Sequence, residues 1–445
     1  MESARDAAPA VRQPVELLQQ LIRFDTTNPP GNEAACIAFI NALLAEAGIQ
    51  TTILAQSPRR PNIVARLTGQ GRAAPLLLYG HVDVVTTENQ DWQQPPFSGN
   101  LVDGYVWGRG TLDMKSGVAM MLAAFLRAKK EKCRPPGDII LAVVSDEETG
   151  GDLGARYLVE NHADLFKGVR YAIGEFGGFS LYVGGRRFYP VMVAEKQPCW
   201  MKAAVRGPGG HGSMPVRGGA MVKLSRMLQQ LDRRRLPVHV TPVARSMLTT
   251  IAKEVKGIPG RIIGGLAKPA LTDGLLNLMG ERGRVFDPLL HNTVSPTVLH
   301  GSRQINVIPS EVSVELDGRL LPGYGPEHMQ AELRNIIGSD VALEVIRYEA
   351  GPAEPDMGLF DTLAEILRAA DPGGTAVPLL LSGFTDGRFF SRLGIQTYGF
   401  LPMKLPQDFN FSQTIHAANE RIPADALDFG ANAIWNLLQR FETCV

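Results

Sequence analysis

Apolar positions recur at helical spacing over Pro14–Arg23, where Val15, Leu17, Leu18, Leu21 and Ile22 share a face. They recur again over Glu33–Ala47, with Cys36, Ile37, Ile40, Leu43 and Leu44 on one side and Asn41 facing away. Between these two predicted helices, Asp25–Asn32 reads as a polar, Pro/Gly-rich turn. Strands are predicted at Thr51–Ala55, Asn62–Leu67 and Pro75–Tyr79. The last is apolar throughout, as a central strand covered on both faces should be, and it runs straight into Gly80-His81. A helix over Gly117–Lys130 precedes a strand at Asp138–Val144, which ends in Ser145-Asp146-Glu147-Glu148-Thr149-Gly150-Gly151. After a helix around Gly154–Asn161, the strand Tyr171–Gly174 ends in Glu175. Strand, polar tip and helix in repetition is the pattern of an α/β sheet, which places functional groups at the carboxyl ends of its strands.

The texture changes near Cys199. Strands at Trp200–Arg206, Thr293–Leu299, Glu311–Leu320 and Ala342–Tyr348, with helices at Met221–Leu231 and Pro326–Ile337, make a βαββαβ pattern: an α+β unit with two helices on one face of an antiparallel sheet. Thr249–His291 lies inside it with little clear periodicity and reads as an extra insertion. From Met357 the α/β texture returns, with a helix at Phe360–Ala370, a strand at Val377–Leu381, a loop holding Asp386 and Arg388, and a helix at Ala424–Phe441. The economical division is an α/β domain built from both ends of the chain, 1–198 and 349–445, carrying the inserted domain 199–348.

Composition narrows the function classes. The 445 residues are 44% hydrophobic and 20% charged, enough apolar material for packed cores. Lys plus Arg and Asp plus Glu both number 45, so no global field gathers nucleic acid or an anionic membrane. The Arg233-Arg234-Arg235 cluster reads as a solvated basic cap at a helix end. The apolar runs are strand-sized rather than membrane-sized, and the opening MESARDAAPAVRQPVELLQQL shows no apolar stretch of leader type. Cys36, Cys133, Cys199 and Cys444 have no short CxxC spacing and read as ordinary thiols of a reducing compartment. The expectation is a cytoplasmic protein that binds neither nucleic acid nor membrane.

Candidate chemistry sits at the polar tips. His81 and Asp83 occupy one extended tip, and a carboxylate two residues away can accept the imidazole's second N–H and strengthen it as a ligand. Asp113 lies in Trp107-Gly108-Arg109-Gly110-Thr111-Leu112-Asp113-Met114-Lys115-Ser116-Gly117, just before a helix, where an aspartate also serves as an N-cap. The GxG there lacks the third glycine of a dinucleotide fingerprint. Asp146-Glu147-Glu148 are three carboxylates in a row that repel one another unless cations or donors compensate. Glu175 ends another strand, and His416 lies in a polar loop before Asn419 and Glu420. His, Asp, Glu, Glu and His without thiolates suit Zn²⁺, Co²⁺ or Mn²⁺, and five candidate ligands exceed the needs of one catalytic zinc. Two metals sharing a carboxylate use them naturally.

The segments YGHVDVV (Tyr79–Val85), WGRGTLDMKSG (Trp107–Gly117), SDEETGG (Ser145–Gly151), GEFGG (Gly174–Gly178), RGPGGHGSMP (Arg206–Pro215), NVIP (Asn306–Pro309) and HAANE (His416–Glu420) follow one another across nearly the whole chain. In order and spacing they resemble the M20 family of metallopeptidases and deacylases, which includes glutamate carboxypeptidases, aminoacylases, acetylornithine deacetylase and succinyl-diaminopimelate desuccinylase. The resemblance implies a zinc-peptidase-like mixed-sheet catalytic domain with an inserted lid or dimerisation domain. It implies that Asp113 bridges two metal ions, most often Zn²⁺, that His81 and Glu175 complete one site, and that Glu148 and His416 complete the other. Glu147 becomes the general base, and Asp83 the carboxylate behind His81. His211 matches a lid histidine that in dimeric members reaches the partner's site, which makes a homodimer the expectation. Arg319 and Arg388 match basic positions associated with substrate carboxylates, although each could instead pair with its neighbouring aspartate. Asn306 matches a substrate-contacting polar position. Glu175, TENQDWQQPPFSG (Thr87–Gly99) and VAEK (Val193–Lys196) resemble the carboxypeptidase and N-acyl-amino-acid hydrolase branch.

The reaction so implied is hydrolysis of an amide next to a free carboxylate, in a short peptide or an N-acyl amino acid. A small-molecule deacylase or desuccinylase is the alternative. In either case Glu147 shuttles the proton and His211 meets the charge that grows on the carbonyl oxygen.

Overall fold

A computed structural model of the chain describes residues 13–441. Two compact units emerge: one runs through Val193 and takes in Asp356–Leu379 and the chain from Thr385 onward, and the other comprises Ala194–Pro355 with Leu380–Phe384.

The first unit is built on a mixed, nine-stranded sheet. Along it, Thr51–Leu54 pairs with Asn62–Leu67, then come Ile139–Val144, Leu76–His81, Tyr171–Gly174, Gln396–Gly399, Arg186–Glu195 and Gly374–Leu381, with Leu181–Val183 attached to Arg186–Glu195. Leu76–His81 runs parallel to both Ile139–Val144 and Tyr171–Gly174, and all three are buried along their whole length. Burial on both faces explains their unbroken apolar character. The register pairs His81 with Val144 and Leu78 with Ile173, so three adjacent parallel strands end side by side. The strand predicted to stop at Tyr79 continues through His81.

Lys115–Lys130 packs with Pro14–Ile22 and Ala424–Arg440, and Phe360–Ala370 packs with Ala424–Arg440. A separate apolar cluster gathers Leu77, Tyr79, Ile140 and Ala142 with Leu158, Phe166, Phe389 and Phe390. The strands Arg186–Glu195 and Gln396–Gly399 escape the hydrophobic pattern, the first being interrupted by Pro190 and the second only four residues long.

In the second unit a four-stranded antiparallel sheet has the order Thr293–His300, Glu311–Leu320, Gln197–Arg206, Ala342–Tyr348. Leu224 and Met227 of helix Ala220–Arg233, and Met329, Leu333 and Ile336 of helix Pro326–Ile337, share a core with Met201, Ala203, Val314 and Leu316 of the sheet. The stretch read as aperiodic is helical: Pro242–Val255, Gly257–Gly265, Pro269–Met279 and Asp287–Leu290. Its apolar stripes are too short, and too often broken by Gly and Pro, to register as periodicity.

Cys36 and Cys199 are buried and Cys133 partly so, all three as free thiols. Cys444 and residues 1–12 of the opening segment lie outside the described residues. Among the described residues no helix is long and apolar enough to cross a membrane.

Candidate metal centre

His81 closes its strand with its ring buried. A Cβ at Gly80 would lie 2.6 Å from Met114 Cε, so the strand end and the loop that follows Asp113 approach this closely because residue 80 has no side chain. His81 Nδ1 lies 3.0 Å from the Asp83 carbonyl oxygen and 3.5 Å from Asp83 Oδ1. A carbonyl can only accept, so Nδ1 carries a proton and Nε2 is the atom turned to the site. Nε2 lies 3.1 Å from Asp113 Oδ1 and 3.0 Å from Glu175 Oε2.

The other oxygen of the same carboxylate faces a second group. Asp113 Oδ2 lies 3.0 Å from His416 Nε2, which in turn lies 3.5 Å from Glu148 Oε1. Among the described residues two sets of metal-competent atoms therefore exist, His81–Asp113–Glu175 and Asp113–Glu148–His416, with Asp113 common to both. Asp113 is not the cap of the following helix: Met114 occupies that position, and the cap makes no side-chain hydrogen bond.

Asp83 ties the two glutamates to this arrangement. Its buried carboxylate accepts the backbone N–H of Glu147 at 3.2 Å and of Glu148 at 3.1 Å, and Asn28 Nδ2 at 2.8 Å. Asp146, the first carboxylate of the row, turns away from the metal-competent groups. Its φ is 74°, and its oxygens accept Thr149 Oγ1 at 2.6 Å and Leu153 N at 2.9 Å and lie 3.1 Å from Arg60 Nη1. The row tolerates its own charge because Arg60, itself paired with buried Glu33, neutralises one end.

His416, also at positive φ (60°), is held through its backbone. Its carbonyl accepts Arg109 Nη2 at 3.0 Å and Gln90 Nε2 at 3.1 Å. Arg109 Nη1 reaches Glu420 Oε2 at 2.5 Å, and Glu420 Oε1 accepts the N–H of Leu112 at 2.7 Å. Asn28, Arg109 and Glu420 are thus structural members of the centre that the sequence did not single out. No local spacing announces them, because their partners lie far away in the chain.

Charge is concentrated here. Burial pushes Glu148 up to about 7, and burial with the neighbouring Glu175 charge raises Glu147 well above the usual carboxylate range. Burial and the Glu175 carboxylate also carry Asp386 up to about 8, and among the described residues neither of its buried oxygens has a hydrogen-bond partner. Hydrogen bonds to Asp113 and Glu148 lift His416 to about 10. Burial opposes protonation of His81, yet its bonds to Asp113, Asp83 and Glu175 win and raise it well above 6.5. Crowded carboxylates and two imidazoles, with one carboxylate common to both groups, are the donor set of hard to borderline divalent cations, so the residues present fit two metal ions.

Arg388 is buried, and its guanidinium donates to the carbonyls of Thr385 and Gly150, each at 2.7 Å, which braces the turn after Glu147-Glu148. The remaining residues belong to the second unit. Arg319 is held two-fold by Asp317 at 2.7 and 2.8 Å and lies over the Phe384 ring. His211 and Asn306 are brought together by a short ribbon, Gly210–His211 against Val307–Ile308, with Gly212 N–H donating to Asn306 O at 2.7 Å. The His211 ring is exposed, with Nδ1 2.7 Å from Ser213 Oγ.

A family model described as peptidase family M20/M25/M40 matches residues 77–440. The human N-fatty-acyl-amino acid synthase/hydrolase PM20D1 is 28% identical over 386 residues, 83% of this chain and 74% of that protein. Mouse aminoacylase-1 is 25% identical over 439 residues, 95% of this chain and 94% of that one. The M20 family metallo-carboxypeptidase Sso-CP2 of Sulfolobus solfataricus superposes with a TM-score of 0.66 at 16% identity, covering 96% of this chain and 98% of that one.

Proposed function

The chain belongs to peptidase family M20/M25/M40 and is a metal-dependent hydrolase, and from that premise we propose that it cleaves an amide bond next to a free carboxylate, in an N-acyl amino acid or at the C-terminus of a short peptide. The observation that carries this reading is the sharing of Asp113 between two metal-competent groups beside the Glu147-Glu148 turn. The resemblance of its sequence to an N-acyl-amino acid hydrolase and an aminoacylase supports the substrate class. Small-molecule deacylation, as in acetylornithine deacetylase or a desuccinylase, is the second reading. It is favoured by the 27% identity over 341 residues to a probable succinyl-diaminopimelate desuccinylase of Staphylococcus aureus.

His81, Asp113 and Glu175 would hold one cation, and Asp113, Glu148 and His416 the other, with Zn²⁺ the proposed metal and Co²⁺ or Mn²⁺ able to replace it. When bound, such ions supply Lewis acidity and make water acidic enough to lose a proton near neutral pH. The chain's own residues do the rest. Glu147 takes a proton from the attacking water as its oxygen bonds to the carbonyl carbon, then delivers that proton to the nitrogen as the C–N bond breaks. A carboxylate whose burial and charged neighbours favour protonation is well suited to that second step. Asp83 orients His81 and, through two N–H groups, the Glu147-Glu148 turn.

His211 donates to the carbonyl oxygen as charge grows there, while Arg319 and Asn306 bind the substrate's free carboxylate and its polar flank. We assign Arg388 to bracing the Gly150 turn in addition to any effect of its charge on the substrate. The inserted segment 199–348 serves as lid and dimerisation domain, and the working form is a cytoplasmic homodimer.

The test is hydrolysis of N-acyl amino acids, dipeptides and N-succinyl diamino acids with Zn²⁺, Co²⁺ or Mn²⁺ supplied. Turnover of either of the first two that collapses when the substrate carboxylate is converted to an amide supports the proposal. Preference for the succinyl substrate, or indifference to the carboxylate, overturns it.

A further inference from the structure

Glu175 is followed by three consecutive residues at positive φ: Phe176 (63°), Gly177 (151°) and Gly178 (77°). Glycine adopts that region without a Cβ clash, whereas a bulky side chain there is an outlier that persists only where its surroundings over-determine it. The surroundings do so here. Phe400 N–H donates to Gly174 O at 2.9 Å, Leu401 N–H to Gly177 O at 2.8 Å, and Gly178 N–H to Pro190 O at 2.6 Å. The Glu175 and Phe176 carbonyls press on Gly399 so closely that a Cβ there would fall 2.5 and 2.1 Å from them. This clamp would present Glu175 at less strain with a third glycine at 176. The phenylalanine ring therefore serves something that the backbone does not need.

Its placement indicates what. The ring meets Phe179 at a centroid distance of 5.6 Å and Phe411 at 6.0 Å, both edge-on at 85°. Phe179 and Phe411 are buried and stack on each other at 4.0 Å, while Phe176 remains partly exposed. Phe411 opens the short helix Phe411–Thr414 that leads into His416. Phe176 thus joins the segment carrying Glu175, from one metal-competent group, to the segment leading to His416, from the other.

We propose that Phe176 is a specificity-determining residue whose exposed face forms one wall of an apolar subsite beside Glu175, occupied by the alkyl chain of the substrate's acyl group. The proposal rests on the amide-hydrolysis reading for the identity of that chain. An acyl chain hangs directly from the carbonyl carbon under attack, so it is among the groups nearest the metal ligands. A ring braced by a stacked, buried aromatic pair presents a firm apolar surface to methylene groups, and the three rings offer no hydrogen-bonding atom to a polar one.

The test reads binding rather than turnover. Straight-chain alkyl hydroxamates, from acetohydroxamate to dodecanohydroxamate, hold a divalent metal at one end and carry the alkyl chain at the other. They are titrated calorimetrically into the Zn²⁺-loaded protein. Wild type is expected to bind the longest at least about tenfold tighter than the shortest, since each buried methylene adds affinity. Phe176→Asn tolerates positive φ and removes the apolar ring, and it is expected to lose about tenfold for dodecanohydroxamate and less than about threefold for acetohydroxamate. Phe176→Leu should recover much of the long-chain affinity. Phe176→Gly, which relieves the backbone, gives the same reading if the Asn variant does not fold.

Three results overturn the inference: no chain-length dependence in wild type, an unchanged long-to-short ratio in the variants, or equal loss of both probes, which would mean that the ring only braces the Glu175 turn. A wild-type protein that tightens with chain length yet hydrolyses no acyl amino acid keeps the subsite and refutes the reaction. Hydrolysis without the chain-length effect does the reverse.

Discussion

Arg109 and Glu420 form a wholly buried ion pair, Nη1 to Oε2 at 2.5 Å, whose two members each hold a different ligand segment. Arg109 donates to the His416 carbonyl, and Glu420 accepts the N–H of Leu112, next to Asp113. The pair therefore sets the position of His416 relative to Asp113 without touching either side chain.

Removing one partner leaves the other as an uncompensated buried charge. Glu420→Gln is expected to destabilise the protein by about 3–5 kcal/mol in denaturant unfolding and to weaken metal retention. The double variant Arg109→Met/Glu420→Leu should cost clearly less than the sum of its single changes, as coupled neighbours do. Additive costs would show that the pair is not coupled.

Glu147→Gln should keep its metal and lose about 10²–10⁴-fold in turnover, the usual worth of a general acid–base group. Glu148→Gln should instead lose metal on dialysis. Elemental analysis of both variants beside their rates decides the division, and equal metal loss would refute it.

Metal uptake should release protons. In chelator-treated protein His416 is held at about 10 by Asp113 and Glu148, so at neutral pH it carries a proton that a metal must displace. Affinity should therefore rise as pH rises toward 10. A raised histidine value adds folding stability that is complete below about 6.5 and lost as pH climbs through the folded value, so the chelated protein should lose this contribution over the same window. Calorimetry in buffers of different ionisation enthalpy counts the protons, and a count of zero would contradict the assignment.

If His211 serves the neighbouring subunit, mixing His211→Ala with Glu147→Gln and allowing exchange should restore about one quarter of wild-type activity, because half the dimers are mixed and each has one intact site. Each parent alone should be nearly inactive. No recovery after proven exchange, or sedimentation as a monomer, would remove the shared site.

The strand-end positions of His81, Glu147, Glu148 and Glu175 were legible in the chain because continuous apolar runs stop where they begin, and apolar runs of that length mark buried strands. The helix boundaries at Ala34–Glu46 and Pro326–Ile337 were similarly close to their apolar faces. The helices between Pro242 and Leu290 were not, because short stripes punctuated by Gly and Pro carry too few repeats to reveal a period.

Residue type and local pattern determined which side chains could bind metal and which strands would present them, since both depend on near neighbours in the sequence. Only the tertiary structure decided that Asp113 shares its two oxygens between His81 and His416, that Asp83 holds the N–H groups of two glutamates, and that Asp146 turns to Arg60 instead of joining them. These are contacts between segments tens to hundreds of residues apart. Their geometry follows from strand register and from which buried groups must find partners away from water, and periodicity along a single element contains neither.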